Sequence, residues 1–486
     1  MERKFTMNEI INEIEEKYGS LLIRDGSRFL LGLQSFAELY QQQTRCIYLP
    51  NEKQFYQYSP ASGLWQPQRQ SEMISQVGLA VREFASRRGI ECELARYQRP
   101  AAIRDILTYL EVQAEVETAF FSSSGNWVHC RNTMVELTDS GEWEMRPFSP
   151  DYHSRNRCDI VYDPAADCPR FKEQLLSPLM EEDDVELLQK YFGQCLLGRN
   201  LTQSILLLTG SGGSGKGTVA NLLELLVGPL NSMQIRPGCI GSRFETSAFL
   251  GKTLLTGKES QTSFFTSHGM GILKSLVGDD TLRVELKHSN EQQMIEGTFN
   301  VFIVGNAIPL LEFESNDDLT AWHRRLRWIK CKSYMPPKPI DHFADTLFAD
   351  EGSGILNWSL AGLRQLLLAN STRLPISELQ KERLNFLFGQ SFQLESILRN
   401  YLKEAPGSNL TTEEIFCLYG GVATHMGWQL MPERKFQAAL PDCMQALFHL
   451  SRCRDIKRPG TDGRWTNRSG YRNIKIKKLT SPVRTV

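Results

Sequence analysis

At 486 residues the chain is too long for one compact domain, and about two to four are expected. Its composition, 41% hydrophobic and 23% charged, is that of an ordinary soluble globular protein. With 55 basic against 56 acidic residues the net charge is −1, which excludes reading a partner from global charge; any nucleic-acid surface must be local.

No apolar run approaches the roughly 20 residues that span a bilayer, and the first residues lead into a mixed-charge amphipathic stretch rather than a signal peptide. No membrane partner is expected. The 11 cysteines are scattered without a CxxC pair, and Cys158 with Cys168 and Cys443 with Cys453 lack the short spacing of zinc ligands. Unpatterned thiols fit a reducing, cytoplasmic compartment.

In chain order, Asn8–Tyr18 places Ile10, Ile11 and Ile14 at helical spacing. Tyr48–Trp65 alternates aromatic and polar residues around Ser-Pro-Ala-Ser-Gly, a strand–turn–strand signal. Short strands are predicted over Asn126–Arg131, Thr133–Leu137 and Trp143–Pro147. Tyr162-Asp-Pro-Ala-Ala-Asp-Cys-Pro169 reads as a linker entering a helix, with Pro164 in the first turn. Asp184–Leu197 is a strongly apolar helix. The pattern then changes, and short uninterrupted apolar runs follow at Ser204–Leu208, Thr253–Thr256 and Asn300–Val304. Such runs suit buried strands of a parallel sheet covered by helices on both faces. The expected organisation is an N-terminal α+β region over 1–120, a leader domain over 121–198, an α/β core over 199–340, a helical segment over 341–400 and a C-terminal module over 401–486.

Within the core, Ser204-Ile-Leu-Leu-Leu-Thr-Gly210-Ser-Gly-Gly213-Ser-Gly215-Lys216-Gly217-Thr218 is a strand, a glycine-rich loop and a helix start, with the GxxxxGK spacing of a phosphate-binding loop. Glycines let the loop turn tightly so that backbone N–H groups face the phosphates, and Lys216 adds a full charge near the β- and γ-phosphates of ATP. The hydroxyl expected directly after the lysine is displaced by one position. Gly217 stands there, and Thr218 is the candidate contact to Mg²⁺. The same Lys-Gly-Thr form occurs in nucleoside monophosphate kinases, so the loop alone leaves motor and kinase both open.

Gly251-Lys-Thr-Leu-Leu-Thr-Gly-Lys258-Glu259 is a second apolar strand ending in a carboxylate that can polarise a water for attack on the γ-phosphate. Phe299-Asn-Val-Phe-Ile-Val-Gly-Asn306 is a third, ending in an amide able to hold that water or sense the phosphate. Trp322-His-Arg324-Arg325 follows, and a guanidinium there can reach a neighbouring subunit's nucleotide as an arginine finger.

Loop, strand-plus-Glu, strand-plus-Asn and Arg-Arg in this order resemble the superfamily 3 helicases, specifically the helicase part of phage and plasmid primase–helicases and of the poxvirus helicase–primase. Leu273-Lys-Ser-Leu-Val-Gly-Asp279-Asp280 and Glu351-Gly-Ser-Gly-Ile-Leu-Asn-Trp358-Ser-Leu-Ala-Gly362 extend the likeness, which covers about residues 120–365. The resemblance implies an AAA+-type α/β fold, homo-hexameric rings and 3′-to-5′ movement on single-stranded and forked DNA in a host-cell cytoplasm. It assigns Lys216 and Thr218 to phosphate and Mg²⁺, Glu259 to the base, Asn306 to the sensor, and Arg324 or Arg325 to the finger. Many relatives have two acidic residues where this chain has Lys258-Glu259, which leaves the rest of the Mg²⁺ shell open. In related viral proteins the segment after Asp280 is a pore hairpin with Lys-His at its tip. Here Arg283-Val-Glu-Leu alternates like a strand, and Lys287-His288 takes the tip position, where it can grip a DNA phosphate and sugar.

Leu410-Thr-Thr-Glu-Glu-Ile opens a helix with a capping-box pattern, and Glu433–Leu450 adds another. Two strand-like stretches around a Gly-rich turn then suggest a winged helix, with Arg464, Arg468 and Arg472 as candidate DNA contacts. The N-terminal region lacks the Asp-x-Asp and downstream His of a primase domain, so a separate primase or replication initiator is the expected co-worker. Two further readings stand beside the helicase: an origin-binding or DNA-remodelling ring, for which Lys258 leaves room, and a nucleotide kinase, for which Gly217-Thr218 does.

Overall fold

The computed structural model describes residues 7–122, 125–236, 240, 245–260, 267–285, 292–306, 316–334, 340–391, 393–425, 430–459 and 464–477. Two compact units are present: 1–264, 268–307 and 324–376 form the larger, and 265–267, 308–323 and 377–486 the smaller.

The larger unit begins with helices Met7–Tyr18, Leu33–Thr44, Gln70–Ser86 and Pro100–Gln113, whose apolar faces meet around Ile14, Phe36, Val77 and Leu110. Between the second and third of these helices the aromatic alternation forms a three-stranded antiparallel meander, Cys46–Leu49, Gln54–Ser59 and Leu64–Gln68. A second meander, Trp127–His129, Met134–Leu137 and Trp143–Arg146, occupies the three stretches predicted as strands.

The helix entry expected at Pro164 lies elsewhere. Pro164 sits in a turn in which the Ala165 N–H donates to Asp163 Oδ1 at 3.0 Å, and the helical stretch opens at Pro169. Pro169 suits that place because a first-turn N–H has no intrahelical acceptor. The next two N–H groups, of Arg170 and Phe171, donate to the carboxylate of Glu351 at 2.9 and 2.8 Å. Their cap comes from a residue 180 positions away along the chain.

The α/β core follows. Strands β1 (Ile205–Thr209), β2 (Ser232–Gln234), β3 (Leu254–Ser260), β4 (Asn300–Gly305) and β5 (Leu326–Lys330) form one parallel sheet in the order β2-β3-β4-β1-β5. Every residue of β1 and β4 is buried, as their unbroken apolar sequences require of strands covered on both faces. Helix α1 (Lys216–Val227) packs on β3 and β4. The helices Glu182–Leu196 and Phe343–Leu368 pack against each other and against α1. Tyr191 donates its hydroxyl to the Val301 carbonyl at 2.6 Å, fixing the first of these helices to β4.

Glycines set how closely those two helices approach. A Cβ on Gly193 would fall 2.5 Å from both the Ser359 carbonyl and the Leu363 nitrogen, and one on Gly362 would fall 2.5 Å from the Gln189 carbonyl. All these obstacles are backbone, which cannot rotate away.

The smaller unit contains helices Glu378–Ser391, Gln393–Tyr401, Thr412–His425 and Glu433–Phe448. Its antiparallel sheet has Trp465–Ile476 between Leu402–Thr411 and Cys453–Pro459. The capping box is present: the Thr411 N–H donates to Glu414 at 2.8 Å and the Glu414 N–H to the Thr411 hydroxyl at 3.1 Å. Tyr419, Phe436, Tyr471 and Ile474 fill its core.

Two stability predictions follow from this packing. Gly193→Ala and Gly362→Ala should each lower unfolding free energy by about 1–3 kcal/mol in urea titrations, the usual cost of overpacking. A loss below about 0.5 kcal/mol, the level of a neutral surface change, would show that the helices separate freely. The second concerns His129, whose Nε2 lies 2.9 Å from the Ser62 carbonyl and whose Nδ1 lies 2.8 Å from the Ser154 hydroxyl. A carbonyl can only accept, so the ring carries a proton on Nε2. Burial lowers its pKa from 6.5 to about 4. The unfolded chain therefore takes up a proton that the folded chain refuses, so stability should fall as pH drops from 6.5 towards 4. His129→Gln should flatten that part of the pH–stability curve; an unchanged slope would assign it to other groups.

Candidate nucleotide-binding site

Parallel pairing brings the C-terminal ends of β1, β3 and β4 to one edge of the sheet. β1 delivers the glycine-rich loop. Gly210 keeps the ladder going by donating its N–H to the Gly305 carbonyl at 3.3 Å, and a Cβ there would lie 2.8 Å from that of Cys331, just past β5. Gly213 and Gly215 have φ of +77° and +105°, a region that side chains avoid. Gly215 is the N-cap of α1 and brings no side-chain acceptor, so the first N–H groups of the helix remain available to an anion. Lys216 is buried and donates to the Ser211 carbonyl at 2.6 Å and the Ser214 hydroxyl at 3.3 Å. Burial lowers its pKa, and among the described residues no carboxylate pairs with it. A desolvated ammonium beside uncapped helix N–H groups fits a phosphate. Gly217 is exposed with open space around it, and Thr218 is half-buried in the same first turn.

Asn306 directly follows β4, exposed, one residue past the Gly305–Thr209 pair. β4 lies between β1 and β3, so Asn306 stands between the loop and the end of the Glu259 strand. Glu259 belongs to β3; its side chain lies outside the described residues. The β3–β4 register shifts between Gly257 and Ser260, an irregularity that frames Lys258 and Glu259. Such bulges re-aim side chains and are common beside active sites. Lys258 is accounted for by α1. It donates to Glu224 at 2.6 Å and to Asn221 at 2.7 Å, and Glu224 also accepts the Thr256 hydroxyl at 2.6 Å. Nothing in the local sequence signals this pair, because the partners are 34 residues apart.

Arg324 and Arg325 end the helix Asn316–Arg325 and lead straight into β5. They differ in surroundings. Arg324 is exposed, whereas Arg325 is half-buried beside Gly278-Asp279-Asp280, with its Nη2 3.2 Å from where a Gly278 Cβ would stand. Burial and the neighbouring Arg324 lower the Arg325 pKa, and Asp280 and Asp279 oppose that shift. After Asp280, Thr281–Glu285 and Gln292–Glu296 pair as an antiparallel hairpin. Lys287 and His288, between them, lie outside the described residues.

In the smaller unit Arg464, Arg468 and Arg472 are all exposed. Arg468 pairs with Glu413 at 3.1 Å and Arg472 with Asp455, so acidic neighbours offset these two charges. Trp465, on the same strand, is 70% exposed, and Lys457 and Lys475 are exposed as well.

Residues 34–177 match a family described as D5 N terminal like, and residues 208–325 match a family of unknown function (DUF5906). The second match runs from the end of β1 to the arginine pair. Two solved structures of the NrS-1 C terminal region in the apo A form are similar to 90% of this chain and to 98% of their own. Their TM-scores are 0.47 and 0.46, at 11% and 12% identity. The D5 match likens residues 34–177 to the N-terminal part of primase–helicase-like replication proteins. Among the described residues, no helix is long and apolar enough to cross a membrane.

The Lys258–Glu224 pair yields a test. Lys258→Ala should lower thermal stability, because it strands a half-buried carboxylate, while nucleotide affinity stays within about twofold. Loss of nucleotide binding at unchanged stability would place Lys258 in the site instead.

Proposed function

We propose that this chain is an ATP-driven DNA helicase of the superfamily 3 type, working as a homo-hexameric ring on single-stranded and forked DNA. The observation that carries this reading is the convergence at one sheet edge of the Lys216 loop, the strand bearing Glu259 and, between them, Asn306. Phosphoryl transfer needs that set: donors around the phosphates, a base for the water, and a neutral group to orient it. The sheet order supports an AAA+-type core, since the amide strand lies inside, next to the loop strand. The loop N–H groups and Lys216 hold the phosphates, and Thr218 presents its hydroxyl to Mg²⁺, which offsets phosphate charge when bound. Glu259 takes the proton of the attacking water. Arg324, the exposed member of its pair, is the finger offered to a neighbouring subunit. Lys287 and His288 grip the strand in the pore. The C-terminal module contacts DNA through Trp465 and the arginines Arg464, Arg468 and Arg472.

The setting is replication of a phage, satellite or plasmid element in a host cytoplasm, beside a separate primase or initiator. Lys258 no longer favours a remodelling ring, because Glu224 and Asn221 take it up.

The experiment is strand separation on a forked substrate with ATP and Mg²⁺. The unmodified chain should unwind it. Lys216→Ala should lower hydrolysis by about a hundredfold or more, the scale of losing a transition-state charge contact. Glu259→Gln should retain nucleotide without turnover. Mixed rings of Lys216→Ala and Arg324→Ala subunits should regain part of the activity, because some interfaces join an intact loop to an intact finger. Hydrolysis without unwinding of any fork would favour the remodelling ring, and phosphorylation of nucleosides without a DNA effect would favour the kinase.

A further inference from the structure

The glycine-rich loop occupies one end of the parallel sheet; the other end holds a half-enclosed cavity of about 750 Å³. Arg199, Lys252 and Phe299, which precede β1, β3 and β4, line it, so it lies about 15 Å or more from the loop, the length of a five-residue strand. Its size falls within the range of small-molecule sites, roughly 300–1,000 Å³.

Hydrogen bonds built into the fold assemble its walls. Asn156 donates to Asn231 Oδ1 at 2.8 Å and to the Gly251 carbonyl at 3.0 Å, and Asn231 donates to the Arg157 carbonyl at 2.9 Å. This lattice ties the backbone at Arg157 to that at Gly251, the residue before Lys252. On the facing wall Ser122 donates to Glu296, at the base of the hairpin, at 3.4 Å. Phe121 carries the Arg155 guanidinium over its ring at 4.8 Å, and Arg155 is paired with Glu52 at 2.6 Å. Four cations, Arg155, Arg157, Arg199 and Lys252, line the cavity with two carboxylates, Glu52 and Glu296. Arg157 also pairs with the exposed Asp159 at 2.8 Å and Lys252 donates to the Leu230 carbonyl at 2.6 Å, exposed contacts that an anion can displace at small cost. Phe121 and Trp127 add half-buried aromatic surface. Burial holds Arg199 and Lys252 below their ordinary pKa values, a penalty that an entering anion reverses.

We propose that this cavity is a second binding site, separate from the loop, for a phosphorylated nucleoside, with Arg157, Arg199 and Lys252 on the phosphate and Trp127 on the base. The chemistry is shared by a free nucleotide and by one unit of a single strand, since both join a phosphate to a flat ring. It goes beyond the helicase reading and stands without it.

The test uses the full chain carrying Lys216→Ala, which removes competition from the loop, with AMP and a thymidine tetranucleotide as probes in equilibrium dialysis. Either probe should bind. Arg157→Gln with Lys252→Gln in the same chain should weaken binding by about tenfold or more, the scale of losing charge-assisted contacts. Where the paired substitutions weaken binding, a tighter tetranucleotide assigns the site to a strand, and equal or tighter AMP assigns it to a free nucleotide; both support the proposal. Absence of binding by both probes, or binding indifferent to the paired substitutions, overturns it. As a check independent of folding in the variants, photoreactive azido-AMP should label a peptide containing Trp127. Labelling confined to the loop peptide overturns the proposal.

Discussion

Three buried amides fix the register on which the nucleotide end of the core depends. Gln194 donates to Asn200 and to Asn300, each at 2.9 Å, and its carbonyl accepts the Thr202 N–H and hydroxyl at 3.1 and 2.7 Å. Asn200 donates to the carbonyls of Ser204 and Phe299, each at 2.9 Å, and accepts the Ser204 N–H at 3.1 Å. Buried amides are costly when half-satisfied, so a network this complete tolerates one alignment of its strands. It joins the approach to β1 to the start of β4. Their pairing then runs from Ile205 opposite Val301 to Thr209 opposite Gly305, delivering Gly210 and Asn306 to the far edge together. A slip by one residue would turn every β4 side chain to the other face and part Asn306 from the loop.

What the sequence made legible is what depends on near neighbours along the chain. The buried strands announce themselves by apolar runs, the loop by glycine spacing, and the Thr411–Glu414 box by a three-residue offset. What stayed hidden depends on residues far apart. Glu351 caps a helix whose first residues are 180 positions away, and without that knowledge Pro164 and Pro169 look equally suited to the start. Gly193 and Gly362 look like weak points in two helices until backbone is found against them. The cavity draws its lining from the meander, the segment at 153–158, the core strands and the hairpin, so no local pattern marks it.

Charge was the least legible property, because a charged residue's role depends on what faces it. Lys258 beside Glu259 looks like an intrusion into a catalytic carboxylate pair, yet it is directed to Glu224 and Asn221 on α1. Arg468 and Arg472 look like a basic wing, yet each meets a carboxylate. Exposed pairs of this kind are worth only about 0–1 kcal/mol, so a DNA phosphate can displace either carboxylate at small cost. The wing therefore presents its exposed lysines, Lys457 and Lys475, together with two arginines that a polyanion can recruit from their carboxylates.

The adjacent arginines show how burial separates residues that a motif leaves equivalent. Arg325 lies against Gly278 and is tied electrostatically to Asp279 and Asp280, so carrying it to another subunit would forfeit those contacts and uncover a packed glycine. Arg324 is exposed and gives up nothing comparable. In the proposed ring the two then act in series. Arg324 answers the neighbour's phosphate, and Arg325 ties the end of that helix to the segment from which the hairpin Thr281–Glu285 departs. In that proposed ring a change at the nucleotide of one subunit would reach the hairpin of the next through this pair of side chains, one exposed and the other packed against Gly278.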